Sequence, residues 1–201
     1  MTVPRPYASL LAKGEDRRQL IITVAQRLLT SNGWRSTSLA AIAREAGVSP
    51  AGLLHHFASK EALLHAVLDA RDADDAVNAD LTGDLIAEIG KVADRIGRAP
   101  ELVGTFVVML VENLQPDAPL HDRLLDRWRI AVGIVADMLR QGQQDGRYRA
   151  DFDAEVRAVE IVAFINGMEI SWLLDHSIPL AEVFAEYAKA LERDLNRGTA
   201  R

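Results

Sequence analysis

Ser38, Arg44, Ser49, His55 and Lys60 bring hydroxyl, guanidinium, imidazole and ammonium groups together within 23 residues, a set suited to hydrogen bonding and charge pairing rather than to catalysis. Between Ser49 and Phe57 the chain reads Ser-Pro-Ala-Gly-Leu-Leu-His-His-Phe. Leu53 and Phe57 stand one helical turn apart and point inward. Pro50, Ala51, Gly52 and His55 leave the opposite face small or polar, so the backbone there can approach a phosphate or a base edge closely. Thr37, Ser38 and the N–H groups behind Ser49 add donors, while Arg44 and Lys60, with Arg17, Arg18 and Arg35 nearby, are placed to meet phosphates.

Two short helices and a glycine turn must hold these groups. Leu39, Ile42, Ala43 and Ala46 recur at helical spacing behind Ser38, whose hydroxyl can cap the first turn. Gly47 admits the left-handed backbone that ends that helix, Val48 anchors the corner, and Ala43 with Gly47 suits a tight crossing. Ser49 caps the next helix, and Pro50 fits its first position, where a missing N–H costs nothing. Upstream, Ile21, Val24, Ala25, Leu28 and Leu29 form an apolar stripe after Glu15-Asp16; Asn32-Gly33 ends that helix, and Trp34 reads as a core plug. Downstream, Ser59-Lys60-Glu61 opens a helix whose Leu63, Leu64, Val67 and Leu68 pack back on the unit. The two-helix pattern alone also suits a plain helical hairpin. The flanking helices favour a DNA-reading helix-turn-helix.

Gly33-Trp34, Thr37-Ser38-Leu39, Ile42 to Ser49, Gly52 to Phe57 and Ser59 to Leu64 together resemble the Tet repressor (TetR) family, in order and in distance, over roughly residues 14 to 74. The resemblance implies a homodimeric transcriptional regulator whose N-terminal three-helix domain binds a palindromic operator. It also implies a helical C-terminal domain that dimerises and usually holds an inducer. Leu54 departs from the pattern, because family members often carry a tyrosine there whose hydroxyl is expected to reach a phosphate. Leucine cannot make that bond, although it can pack on a thymine methyl or on sugar carbons, so His55 and the backbone N–H groups near Ser49 take over the polar contacts.

Charge divides the chain in the same place. Residues 1–71 hold nine Lys or Arg against five Asp or Glu, while the whole chain of 201 residues carries −6, so the remainder carries −10. An acidic chain with one basic module points to contact with nucleic acid through a defined face. Residues 1–13 read as a flexible arm, 14–74 as the helix-turn-helix domain and 75–201 as a helical effector-binding and dimerisation domain, an all-α architecture throughout. There is no cysteine, which excludes disulfides, thiolate catalysis and cysteine metal sites. No basic-then-apolar leader or membrane-length apolar run is present, and a cytoplasmic protein without a membrane partner is expected. His55 and His56 are adjacent and diverge by about 100° on a helix, so they cannot clamp one metal. Phosphate-binding glycine loops are lacking too. Neither an enzyme nor a cofactor nor a metal site is expected.

From residue 72 on, Gly and Pro punctuate helices. These are expected to about Asn78, within 80–98, over 102–114, 120–144, 154–175 and 180–197, with a loop at Gln115 to Pro119. The last two are the expected homodimer surface: Val156, Val159, Ile161, Val162, Ile165, Leu173 and Leu174 on one, Val183, Phe184, Tyr187, Ala188, Leu191 and Leu195 on the other. A pocket for an apolar or amphipathic effector is expected among Phe106, Met109, Leu110, Trp128, Val132, Phe164, Met168 and Trp172, with Val135 and Met138 as further walls. Asn113 is one polar anchor, and Asn166, Glu112 and His121 are others. The expected function is a ligand-responsive repressor that an effector releases from its operator. The alternatives are a helical small-molecule sensor that acts without DNA, which would not need the basic N-terminal unit, and a TetR-like activator.

Overall fold

The computed structural model describes residues 6–78 and 84–196. Within them the regular structure is helical: α1 (Pro6–Ser36), α2 (Leu39–Glu45), α3 (Pro50–His56), α4 (Lys60–Asn78), α5 (Leu85–Arg98), α6 (Pro100–Glu112), α7 (His121–Gln144), α8 (Ala154–Leu174) and α9 (Leu180–Asn196). α1 is carried back to Pro6, so residues 6–13 of the expected arm are helical; Pro6 suits a first turn, and Ala8, Leu10, Leu11 and Ala12 are strong helix formers. Residues 1–5 of that arm lie outside the described residues. At its other end α1 is broken by Gly33, with φ 74° and ψ 164°.

The helix-turn-helix forms by local rules. Ser38 Oγ accepts from the Ala41 N–H at 3.1 Å and caps α2, and Ser49 Oγ accepts from the Gly52 N–H at 3.0 Å and caps α3. Between them Gly47 takes φ 64°, and the Val48 N–H returns to the Ala43 carbonyl at 2.9 Å. A Cβ on Gly47 would meet nothing within 4 Å. The glycine therefore serves the left-handed turn and not the close helix crossing expected of it.

Two apolar cores divide the molecule. In the first, Ile21 and Leu29 of α1, Ile42 of α2, Leu53 of α3 and Leu63 and Leu68 of α4 are buried together with Phe106 and Met109 of α6 and Leu120 and Leu124 around the start of α7. Each such side chain contributes about 1.5–3 kcal/mol by leaving water. The second core joins α5, α7, α8 and α9 through Ile96, Leu139, Ile161, Phe184, Leu191 and Leu195. α6 thus belongs to both halves. Its middle is stitched to α1 by Thr105, whose hydroxyl lies 2.7 Å from that of Thr30 and donates to the Gln26 carbonyl at 3.1 Å.

The apolar stripe of α9 does not face outward as expected. Phe184, Ala188, Leu191 and Leu195 are buried in the second core, and Ile161 and Val162 of α8 join them, because α5 packs on α9 and α7 on α8 within the same chain. What α8 leaves exposed is part of the expected set, Val156, Val159 and Leu174, the last 88% exposed, together with Ile170, which was not named. Spacings of three and four residues put them on one face with Ala163 and Gly167. No helix among the described residues is long and apolar enough to cross a membrane.

Candidate nucleic-acid interface and cavity

α3 has two unlike sides. Leu53 is fully buried and Phe57 nearly so, while Pro50, Ala51, Leu54 and His55 are exposed and Gly52 is half-buried. A Cβ on Gly52 would come within 3.1 Å of Ser49 Oγ, so a side chain there would crowd the cap. Ser38, Arg44 and Ser49 are exposed beside this face. Leu54 is 49% exposed, an apolar side chain at the position where the resemblance implies a tyrosine. Arg27 of α1 reaches Glu45 of α2 at 2.8 Å, a surface pair that fixes little by itself.

Thr37 and Lys60 do not join that face. Thr37 is 2% exposed, and its hydroxyl donates to the Gly33 carbonyl at 2.8 Å and to that of Leu28 at 3.2 Å. The break at Gly33 turns the Thr37 N–H to the Trp34 carbonyl, and the Thr37 hydroxyl takes the Gly33 carbonyl in its place. Lys60 turns inward from the start of α4: its Nζ donates to the Trp34 carbonyl and lies 4.7 Å from the centre of the Trp34 ring. Burial pulls its ammonium below the ordinary value of 10.5, with the carboxylates of Glu61 and Glu112 acting in the opposite direction.

Glu112, expected as a pocket anchor, instead grips the same turn. Its Oε2 accepts from the Trp34 N–H at 2.7 Å, and a Cβ on Gly33 would sit 2.7 Å from its Oε1. The end of α6, the end of α1 and the start of α4 are therefore clasped around the backbone of Trp34. The ring packs, half-buried, against the first core, as expected of a plug.

A cavity of about 670 Å³ lies between the end of α4, α5, α6, α7 and α8, within the range of small-molecule sites. Leu102, Val103, Ile134, Val135, Val162 and Ile165 supply apolar wall. Of the nine residues expected to line a pocket only Phe106 does so, and Val135 and Asn166 join it from the wider set. The other eight are used elsewhere. Met109 is fully buried in the first core, Leu110 packs on it, and Val132 is buried in the second. Asn113 is buried at the α6–α7 turn, where its amide donates to the Met109 carbonyl at 2.7 Å and its Oδ1 accepts from the Leu120 N–H at 3.3 Å. Phe164 stacks on Tyr187 at 3.6 Å, Trp172 lies 4.5 Å from His176, Met168 packs on the second core, and Trp128 is exposed. His121 meets the Asn113 carbonyl at 3.2 Å instead of the cavity.

Charged groups at the cavity were not expected. Arg71 of α4 donates to Glu169 of α8 at 2.7 Å, and both side chains are largely buried. Arg127 of α7 donates to Asp72 of α4 at 2.6 Å, and Arg123 reaches Asp72 at 3.0 Å and Asp69 at 2.6 Å. The guanidinium carbons of Arg71 and Arg127 lie 5.4 and 4.5 Å from the centre of the Phe106 ring. The available signal was Arg123 and Arg127, four residues apart on an otherwise amphipathic helix and so on one stripe.

Residues 21–67 match the family described as bacterial regulatory proteins, tetR family. Over 60 residues the chain is 35% identical to the HTH-type transcriptional regulator UidR of Escherichia coli (strain K12), covering 30% of this chain and 31% of that one. The match to that relative thus spans about a third of its length. Similarity to the HTH-type transcriptional regulator TtgR of Pseudomonas putida runs over 177 residues at 27% identity and covers 81% of this chain and 82% of that protein. The fold is also similar to that of NalD, the secondary repressor of the MexAB-OprM multidrug efflux pump in Pseudomonas aeruginosa, with a TM-score of 0.74, 18% identity, and coverage of 94% of this chain and 100% of the other.

Proposed function

We propose that the chain is a transcriptional regulator of the TetR family rather than an enzyme, and that it is a ligand-responsive repressor; the match of residues 21–67 to that family and the similarity to TtgR over most of the chain support this. As a homodimer it reads a palindromic operator with α3 of each copy and leaves it when an effector fills the cavity. The observation that carries this reading is the division of α3: Leu53 and Phe57 hold it in the core, while Pro50, Ala51, Leu54 and His55 stand exposed near its capped N-terminus. A helix presented in this way can enter a major groove, with Ser38, Ser49 and Arg44 beside it to meet phosphates.

Dimerisation rests on the exposed α8 stripe, Val156, Val159, Ile170 and Leu174, flanked by the small and charged outer face of α9. Two copies joined there would carry two reading helices, which a palindromic site requires about 34–36 Å apart. The effector would favour a dimer geometry in which that spacing no longer fits. Coupling of this kind is reciprocal, so the operator weakens the effector by the same factor.

The test is selection of bound duplexes from a random pool with the purified chain, followed by the same selection with His55→Ala. An enriched palindrome is expected, and the variant should change preference at particular base pairs with unchanged thermal stability, since His55 is exposed. No enrichment at low salt would overturn the reading and favour a sensor that acts without DNA. Unchanged preference in the variant would remove His55 from the reading surface.

A further inference from the structure

The ion pairs around the cavity are asymmetric. Their arginines face inward: Arg71, Arg95 and Arg127 each keep about a fifth or less of the side chain in contact with solvent, and two of them lie over the Phe106 ring. The carboxylates at the mouth face water instead. Asp72 has 38% of its side chain exposed and is shared between Arg123 and Arg127, and Asp126 is 69% exposed in its pair with Arg129. Glu169 against Arg71 and Glu88 against Arg95 are different, each carboxylate being more buried than its arginine.

In the Asp72–Arg127 pair the acid is therefore the exchangeable member. Asp72 can leave Arg127, keep Arg123 and take up water at little cost, whereas driving the Arg127 guanidinium out would also forfeit its contact with the Phe106 ring. What replaces a carboxylate on a guanidinium is another oxyanion, and the planar fork of arginine suits a carboxylate or a phosphate. Apart from these charged groups and Asn166 the wall is hydrocarbon, Val103, Val135, Val162 and Ile165 among it.

We propose that the effector is an amphipathic organic anion, its hydrocarbon portion among Val103, Val135, Val162 and Ile165 and its head group on Arg127 in place of Asp72. This rests on the effector reading above. Asp72 sits on α4, whose first half, Leu63 to Leu68, is embedded in the core of the reading domain. Filling the cavity would thereby undo one tie between that helix and α7.

The experiment titrates the full-length chain with decanoate, decyl phosphate, decan-1-ol and decylammonium below their micelle-forming concentrations and follows binding by calorimetry. At least one of the two anions should bind about ten-fold or more tighter than the alcohol and the ammonium, and comparison of the two separates a carboxylate head from a phosphate head. Asp72→Asn should tighten anion binding several-fold, because it removes the competitor; a purely structural role for Asp72 would weaken it or leave it unchanged. Arg127→Gln should abolish the preference and leave the alcohol's affinity as it was. Equal or tighter binding of the alcohol or the ammonium, no binding of any probe, or no gain in Asp72→Asn would overturn the proposal. Duplex selection with the same preparation separates the two failures: an enriched palindrome with no anion preference sinks the effector class alone, and anion preference with no enriched duplex sinks the regulator reading alone.

Discussion

Gly33→Ala tests the clasp around Trp34. Gly33 holds φ 74° and ψ 164°, a region essentially confined to glycine, so any side chain costs of order 1–3 kcal/mol in the backbone alone. Its Cβ would also lie 2.7 Å from Glu112 Oε1. That oxygen ends a flexible side chain and can move, but moving it loosens the 2.7 Å bond from the Trp34 N–H, a charged hydrogen bond worth roughly 1.5–3 kcal/mol. The substitution should therefore destabilise by about 2.5–6 kcal/mol. In a Glu112→Ala background only the backbone cost remains, and the same change should cost about 1–3 kcal/mol. Urea denaturation of the four proteins closes a double-mutant cycle whose coupling should be about 1.5–3 kcal/mol. Equal costs in both backgrounds would refute the clasp.

Lys60→Met should lower stability without changing the salt dependence of DNA binding, because Lys60 is engaged with Trp34 and not with a phosphate; a salt slope smaller by about one would restore it to the DNA face. The folded chain holds the Lys60 ammonium below 10.5, so between that depressed value and 10.5 the unfolded chain binds more protons, and the wild type should gain stability over Lys60→Met as pH rises through that window. Denaturation of both proteins at about pH 8 and about pH 10.5 reads the effect, and a constant difference would contradict it. Ile170→Asp places a charge in the exposed α8 stripe and should shift sedimentation from dimer to monomer with little loss of helix. A dimer that survives it forms elsewhere.

The helix-turn-helix was legible because its rules are local. Ser38, Gly47, Ser49 and Pro50 each act within four residues of themselves, and the structure uses each as the cap, turn or first-turn residue that its type implies. The residues that misled are those whose partners are distant in sequence. Thr37 looks like a polar neighbour of Ser38 until the Gly33 carbonyl at the break of α1 claims its hydroxyl. Lys60 suits a phosphate by position, yet Trp34 lies within its reach. In α9 helical periodicity marks an apolar face but not its partner, and α5 of the same chain covers what a second copy was expected to meet. Met109 and Val103 share one helix and similar chemistry, but their separation along α6 sends one into the first core and leaves the other at the cavity. The ion pairs joining α4 to α7 and α8 span 51 to 98 residues, beyond the range of any pattern in a single helix.

The two-sidedness of α3 makes its specificity separable from its folding. Positions 51, 54 and 55 project from the scaffold while Leu53 and Phe57 hold it, so those three codons could be randomised together and the library screened for new targets without first screening for solubility. Position 52 is the limit of that freedom, since a larger residue there would press on Ser49. On the proposed function, such a protein would be a receptor whose address can be rewritten while its chemical trigger stays the same.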